Sequence, residues 1–168
     1  MRSKSVLAWH FVGATLRDGS PVPADGVNLK FDGTPALCHV GYHASIDPFD
    51  ALQHAPGPIL CRVRCGGTII QSADKLVCTE RTIIRRLDAT DGLCYFARMQ
   101  ALSVVHRYPG EPADEVIAWL FGDDSARSAA WSAARSAAES AAWSAAESAA
   151  WSAARDLWNS LVREAFRD

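Results

Sequence analysis

The chain has 168 residues, 49% of them hydrophobic, with 17 Lys and Arg against 19 Asp and Glu and a net charge of -2. That length suits one ordinary domain with a core plus an appendage. The near balance of charge excludes strong non-specific binding to nucleic acid or to an anionic membrane surface. No stretch is apolar for long enough to span a bilayer, and the N-terminus enters Val6, Leu7, Ala8 and Trp9 without a secretory apolar region. Five cysteines (Cys38, Cys61, Cys65, Cys78, Cys94) lie mostly within apolar runs, which points to buried free thiols in a reducing cytoplasm. Cys38 beside His39, with His43, Cys61 and Cys65, does not match zinc-ligand spacing, so no metal is expected.

Val6 to Val12 reads as a strand, and a turn-rich stretch follows from Arg17 to Gly26. Val27–Phe31 and Pro35–Val40 read as short strands of a hairpin around Asp32-Gly33. Asp47-Pro48 opens a short helix, an N-cap acid followed by Pro in the first turn, and Pro56-Gly57-Pro58 closes it. Ile59 to Cys65 alternates as a half-buried strand, Gly66-Gly67 predicts a turn, and Lys75–Cys78 and Thr82–Leu87 predict two more strands. Arg81, Arg85 and Arg86 are expected along a solvated edge, with Arg81 and Arg85 on one face. After Asp88 the period becomes helical as far as Val105, a second short helix ends at Gly122, and Asp123-Asp124-Ser125 caps a third.

That third segment repeats Ser-Ala-Ala-X seven times between Ser128 and Arg155, with X running Trp131, Arg135, Glu139, Trp143, Glu147, Trp151, Arg155. Alanine favours helix, and a period of four drifts about 40° per unit, so the X positions spiral. Trp143, Trp151 and Trp158 share a broad face with Leu161 and Val162, whereas Trp131 points elsewhere. A straight helix from Ser125 to Phe166 would be about 60 Å long, against about 40 Å for a compact chain of this size. The expected fold is therefore α+β: a small antiparallel or mixed sheet domain with helices over 1–108, a connecting helix over 109–122, and a long Ala-rich helical arm over 123–168.

The runs Trp9-His10-Phe11, Pro23-Ala24-Asp25-Gly26, Gly41-Tyr42-His43-Ala44-Ser45, Pro48-Phe49-Asp50-Ala51-Leu52, Asp74-Lys75-Leu76-Val77-Cys78 and Ile83-Ile84-Arg85-Arg86-Leu87 resemble an uncharacterised domain family of bacteriophages and bacterial mobile elements. Its members often carry an Ala-rich tail with periodic Trp and Arg. That resemblance implies a phage setting in the bacterial cytoplasm and no particular chemistry.

The layout also resembles ADP-ribosyltransferases of the His-Tyr-Glu type. His10 lies on the first strand, Gly41-Tyr42-His43-Ala44-Ser45 precedes a helix, a strand ends at Gly66, and Glu80 precedes another strand. The resemblance implies that His10 would hold the nicotinamide ribose of NAD, the aromatic would stack, and Glu80 would stabilise an oxocarbenium-like transition state. Here Tyr42 stands one place from where the aromatic normally falls, leaving His43 there, and the interval to Glu80 is short.

The reading that follows is a non-catalytic binding protein without a cofactor. It would occupy a protein or ribonucleoprotein complex of the host, in the manner of an anti-CRISPR inhibitor of defence. Trp131, Trp143, Trp151 and Trp158 would anchor the contact, and Arg135, Glu139, Glu147 and Arg155 would orient it. A homodimer through close Ala packing is a further expectation. The alternatives are an NAD-using transferase built on His10, His43 and Glu80, and an immunity or antitoxin-like protein.

Overall fold

The structure, a computed structural model, describes residues 5–104, 114–123, 125 and 147–167. Its elements run β1 (Val6–Val12), β2 (Asn28–Lys30), β3 (Tyr42–Ala44), α1 (Pro48–Leu52), β4 (Ile59–Gln71), β5 (Leu76–Asp88), α2 (Thr90–Val104), α3 (Asp114–Leu120) and α4 (Glu147–Ala165). Two compact units hold these elements: Met1–Asp91 with Trp158–Asp168, and Gly92–Leu157. In the second unit, Arg98 on α2 lies over the Trp119 ring of α3 at 5.5 Å. Among the described residues no helix is long and apolar enough to cross a membrane.

In the first unit the five strands form one sheet ordered β1-β4-β5-β2, with β3 also paired to β5. Every pairing is antiparallel, the first of the two expected alternatives. The long β4–β5 hairpin is its backbone. The Gly66-Gly67 turn expected from sequence is instead a register shift inside β4, between Gly66 and Ile69. Gly67 adopts a φ of +69°, and a Cβ there would run into the Thr79 side chain, so glycine permits the irregularity without ending the strand. Likewise, no hairpin forms around Asp32-Gly33. β2 and β3 lie one after the other along the same edge of β5, and residues 36–40 make a turn closed by the Ala36–Val40 bridge.

The sheet also curls back on itself. Trp9 and Ser45 exchange two backbone hydrogen bonds, at 2.7 and 2.8 Å, linking β1 to the end of β3. The strands β1, β4, β5 and β3 thereby form a small closed ring. Ala8, Val12, Ala44, Cys61, Val63, Cys65, Leu76, Cys78 and Ile83 build the core within it.

The opposite face of β1 is covered by the end of α4. The Trp158 ring stacks on Phe11, with centroids 6.2 Å apart, and Phe166 meets Trp9 edge-on at 4.9 Å. Trp158 is 1% exposed, and its Nε1–H donates to the Pro48 carbonyl at 3.2 Å. Asn159 straps the start of α1: its Oδ1 accepts from Phe49 N–H and its Nδ2 donates to the N-cap Asp47.

These contacts correct the expectation of a long Ala-rich helix. The C-terminal helix is Glu147–Ala165, and Trp131, Arg135, Glu139 and Trp143 lie outside the described residues. What holds the helix is burial of Trp158 and Val162, since a helix is stabilised chiefly by packing an apolar face. Trp158 belongs to the interior of the sheet domain, whereas Trp151 is 51% exposed. Trp158→Ala should therefore lower the free energy of unfolding by about 3–5 kcal/mol, and Trp151→Ala by about 1 kcal/mol or less. Chemical denaturation of the two variants checks this, and equal losses would contradict the placement.

Candidate functional site

From the Trp9–Ser45 pair the two chain segments diverge. Residues 10–18 form one wall of a cleft of about 1080 Å³ and residues 38–44 form the other, with Arg81 reaching it from β5. The register shows what splits them. Trp9 turns both backbone groups toward Ser45, so by the alternation of an antiparallel ladder Phe11 points its N–H and C=O the same way, away from β4. Phe11 and His43 would be the next hydrogen-bonded pair. Instead the Arg81 guanidinium stands there, and its Nη1 donates to the His43 carbonyl at 2.8 Å.

Arg81 is 4% exposed. Its guanidinium lies over the Tyr42 ring at 5.2 Å, and its Nε has no hydrogen-bond partner among the described residues. No carboxylate of the described residues pairs with it. The neighbouring thiols do not supply a counter-charge either. Burial pushes Cys61 up to about 11, and a hydrogen bond with Cys78, then burial, raises Cys65, so both stay protonated. The hydrogen bond with Cys65 lowers Cys78, but its Sγ lies against the Glu80 and Tyr42 carbonyls, at 3.0 and 3.3 Å, and a thiol that keeps its proton donates to one of them where a thiolate would meet only oxygen lone pairs. Burial pushes the Arg81 pKa down, and a guanidinium keeps its proton in a protein. Asp18 is the one acidic residue lining the cleft among those described, and its Oδ1 accepts from both the N–H and the hydroxyl of Ser20.

Both sequence-predicted histidines line this cleft. His10 is held neutral: burial pushes its pKa well below 6.5, helped by the positive charge of Arg81. His43 is lowered as well, by burial first and then by Arg17. Its Nε2 accepts the Cys38 N–H at 3.0 Å, a bond open only to the neutral ring. That bond holds Cys38 at a φ of +66°, the only positive value at a non-glycine residue among those described. At the foot of the same turn Gly41 has a φ of +101°, and a Cβ there would come within 2.7 Å of Val77 Cγ2. Glu80 is not brought to the cleft. Its carboxylate faces Lys30, at 3.9 Å, and Asn28. Of the tract residues, Arg155 is half-buried on α4 and only the backbone of Glu147 is described. Among the described residues no three of His, Cys, Asp or Glu gather as metal ligands.

Arg81 is the residue that sequence reasoning missed. Arg81, Arg85 and Arg86 do not share a solvated edge. A register shift opposite Arg62 and Val63 leaves Ile84 as an extra residue, so Arg85 turns to the other face and lies over Phe166. Arg86 pairs with Asp25, while Arg81 goes inside. The apolar setting of Arg81, two residues before Ile83 and three after Cys78, was the available signal.

Residues 6–93, more than half of the chain, match the family described as "Domain of unknown function (DUF7666)", and the chain belongs to that family. No curated protein and no solved structure matches it. The cleft, from Trp9 to Arg81, lies wholly within the matched segment.

The two lowered histidines fix a pH dependence. Each contributes stability in its neutral form, fully present above the ordinary value of 6.5 and lost as pH falls through the lowered folded-state value. The denaturant midpoint should therefore drop below about pH 6.5, and less so in His43→Gln. An unchanged midpoint between pH 8 and pH 5 would contradict the neutral assignment.

Proposed function

We propose that the chain is a non-catalytic binding protein that receives an anionic group of its partner in the cleft beside the Trp9–Ser45 pair. The observation that carries this reading is the buried Arg81 with no carboxylate against it. A buried, unpaired cation costs several kcal/mol, and such a cost persists in a fold where a ligand supplies the missing charge. The rim adds Arg17 and Lys75, which favour the approach of an anion. In a phage or mobile-element setting the partner is a host protein or ribonucleoprotein, and inhibition of a defence complex is the role this reading assigns.

A second reading, an NAD-using transferase, is favoured by one observation: His10, Tyr42 and His43 line a single cleft. The carboxylate that such chemistry needs would be Glu80, which is engaged with Lys30 and Asn28. Nicotinamide release from NAD by the purified protein would decide for this reading.

Thermal unfolding with acetate, sulfate, a nucleoside monophosphate and NAD tests the first. An anion that binds the native state at a hundred times its Kd stabilises by about 2.7 kcal/mol. Arg81→Met should abolish that response. Without ligand it should be neutral to about 2 kcal/mol more stable than the unsubstituted chain, because the uncompensated charge is gone. A variant that loses several kcal/mol and keeps the anion response would overturn the proposal.

A further inference from the structure

The outward face of β1 carries a second recess, apart from the cleft. It is a groove of about 350 Å³ among the start of β1, the residues that enter α1 and the end of α4. Two arginines line it, each fixed by one contact. Arg62, on β4, lies over the Trp9 ring at 4.3 Å, and Arg163 Nε donates to the Asn159 carbonyl at 3.1 Å. Neither makes an ion pair among the described residues. Asp47 is the one acidic residue of the lining, and its two oxygens accept from Phe49 N–H and from Asn159 Nδ2. Arg64 adds a third cation nearby, exposed on the same face as Leu7, its partner in the β1–β4 ladder.

Apolar surface accompanies this charge. Leu7 is 48% exposed and Ile46 44% exposed, and both line the groove. One exposed aliphatic residue is ordinary on a protein surface, but two beside arginines without carboxylates match the make-up of a protein–protein contact. An arginine held on one side still offers a planar edge of donors, which a carboxylate meets with parallel hydrogen bonds. The chain as a whole carries a net charge of -2, so this attraction is local to the groove. A nucleic-acid strand would bring a phosphate at every nucleotide and little apolar surface for Leu7 and Ile46. Charge and apolar area together favour a protein segment.

We propose that this groove is a second contact surface, which receives an Asp or Glu side chain of a partner protein between Arg62 and Arg163, with an aliphatic neighbour of that residue against Leu7 and Ile46. The contact is independent of Arg81.

The test is affinity selection by the full chain from a pooled library of random heptapeptides, acetylated and amidated so that only side chains carry charge. Members with Asp or Glu beside Leu, Ile or Val should be enriched about tenfold over the matching Asn or Gln members. Arg62→Gln combined with Arg163→Gln should abolish that enrichment. Arg163→Gln alone, at an exposed helix position, should reduce it about threefold, and this variant serves if loss of Arg62 uncovers Trp9 and unfolds the chain. No retention, equal retention of acidic and amide members, or enrichment that survives these substitutions would overturn the proposal. Tighter binding of a mixed-sequence single-stranded oligonucleotide through the same two arginines would do so as well. Enrichment abolished by Arg81→Met but kept by the groove variants would place the peptide in the cleft, so that the anion-binding reading stands and the groove assignment falls.

Discussion

The guanidinium of Arg81, sealed into the sheet domain opposite a carbonyl and an aromatic ring, sets the terms for everything around it. Its charge has burial on one side and protonated thiols on the other, so it is balanced by dipoles and by the Tyr42 ring and not by a carboxylate. That charge helps to keep His10 neutral, and it occupies the carbonyl that would otherwise continue the β1–β3 ladder. The parting of the two strands and the cleft between them follow from where this one side chain lies. Small sheets usually gain by closing completely. Here closure stops after the Trp9–Ser45 pair, at a point where a cation stands in the wall.

The two faces of β1 divide the work. The face bearing Trp9 and Phe11 is sealed by Trp158 and Phe166, and Asn159 ties that seal to the start of α1. Trp9 is further covered by Arg62, 4.3 Å above its ring. The other face holds the thiol-lined core, with the His10 and Arg81 cleft at its open side. A well-covered back supports an incompletely closed front, where Arg81, His43 and Cys38 hold one another by hydrogen bonds and no carboxylate meets the guanidinium.

Much of this architecture was legible in the residues. The alternation of Ile59 to Cys65, the Asp47-Pro48 helix start and the Val6–Val12 strand all appear where their patterns place them. Trp158 and Val162 share a helix face by the wheel and are buried together. What the residues concealed were events of register. A glycine pair reads as a turn, yet inside β4 it serves a bulge, because the long hairpin continues on both sides of it. One extra residue at Ile84 separates Arg81 from Arg85, and no local pattern announces such an insertion. The same limit hid the site. His10 and His43 were recognisable as chemistry-bearing residues, but their companion is Arg81 and not Glu80, and the difference lies in which residues the register turns inward. The Ser-Ala-Ala tract suggested one continuous arm, whereas the helix held by packing is Glu147–Ala165, where large apolar side chains return.

The account stands or falls on whether the space beside Arg81 receives negative charge. Anomalous diffraction from crystals of the full chain grown in bromide addresses this directly, since bromide is a monoanion that reports its own position. The account predicts a bromide peak at the Arg81 guanidinium, between Phe11 and His43, that disappears in Arg81→Met. A carboxylate of the protein itself folded onto Arg81, or bromide peaks confined to the outer surface, would contradict it.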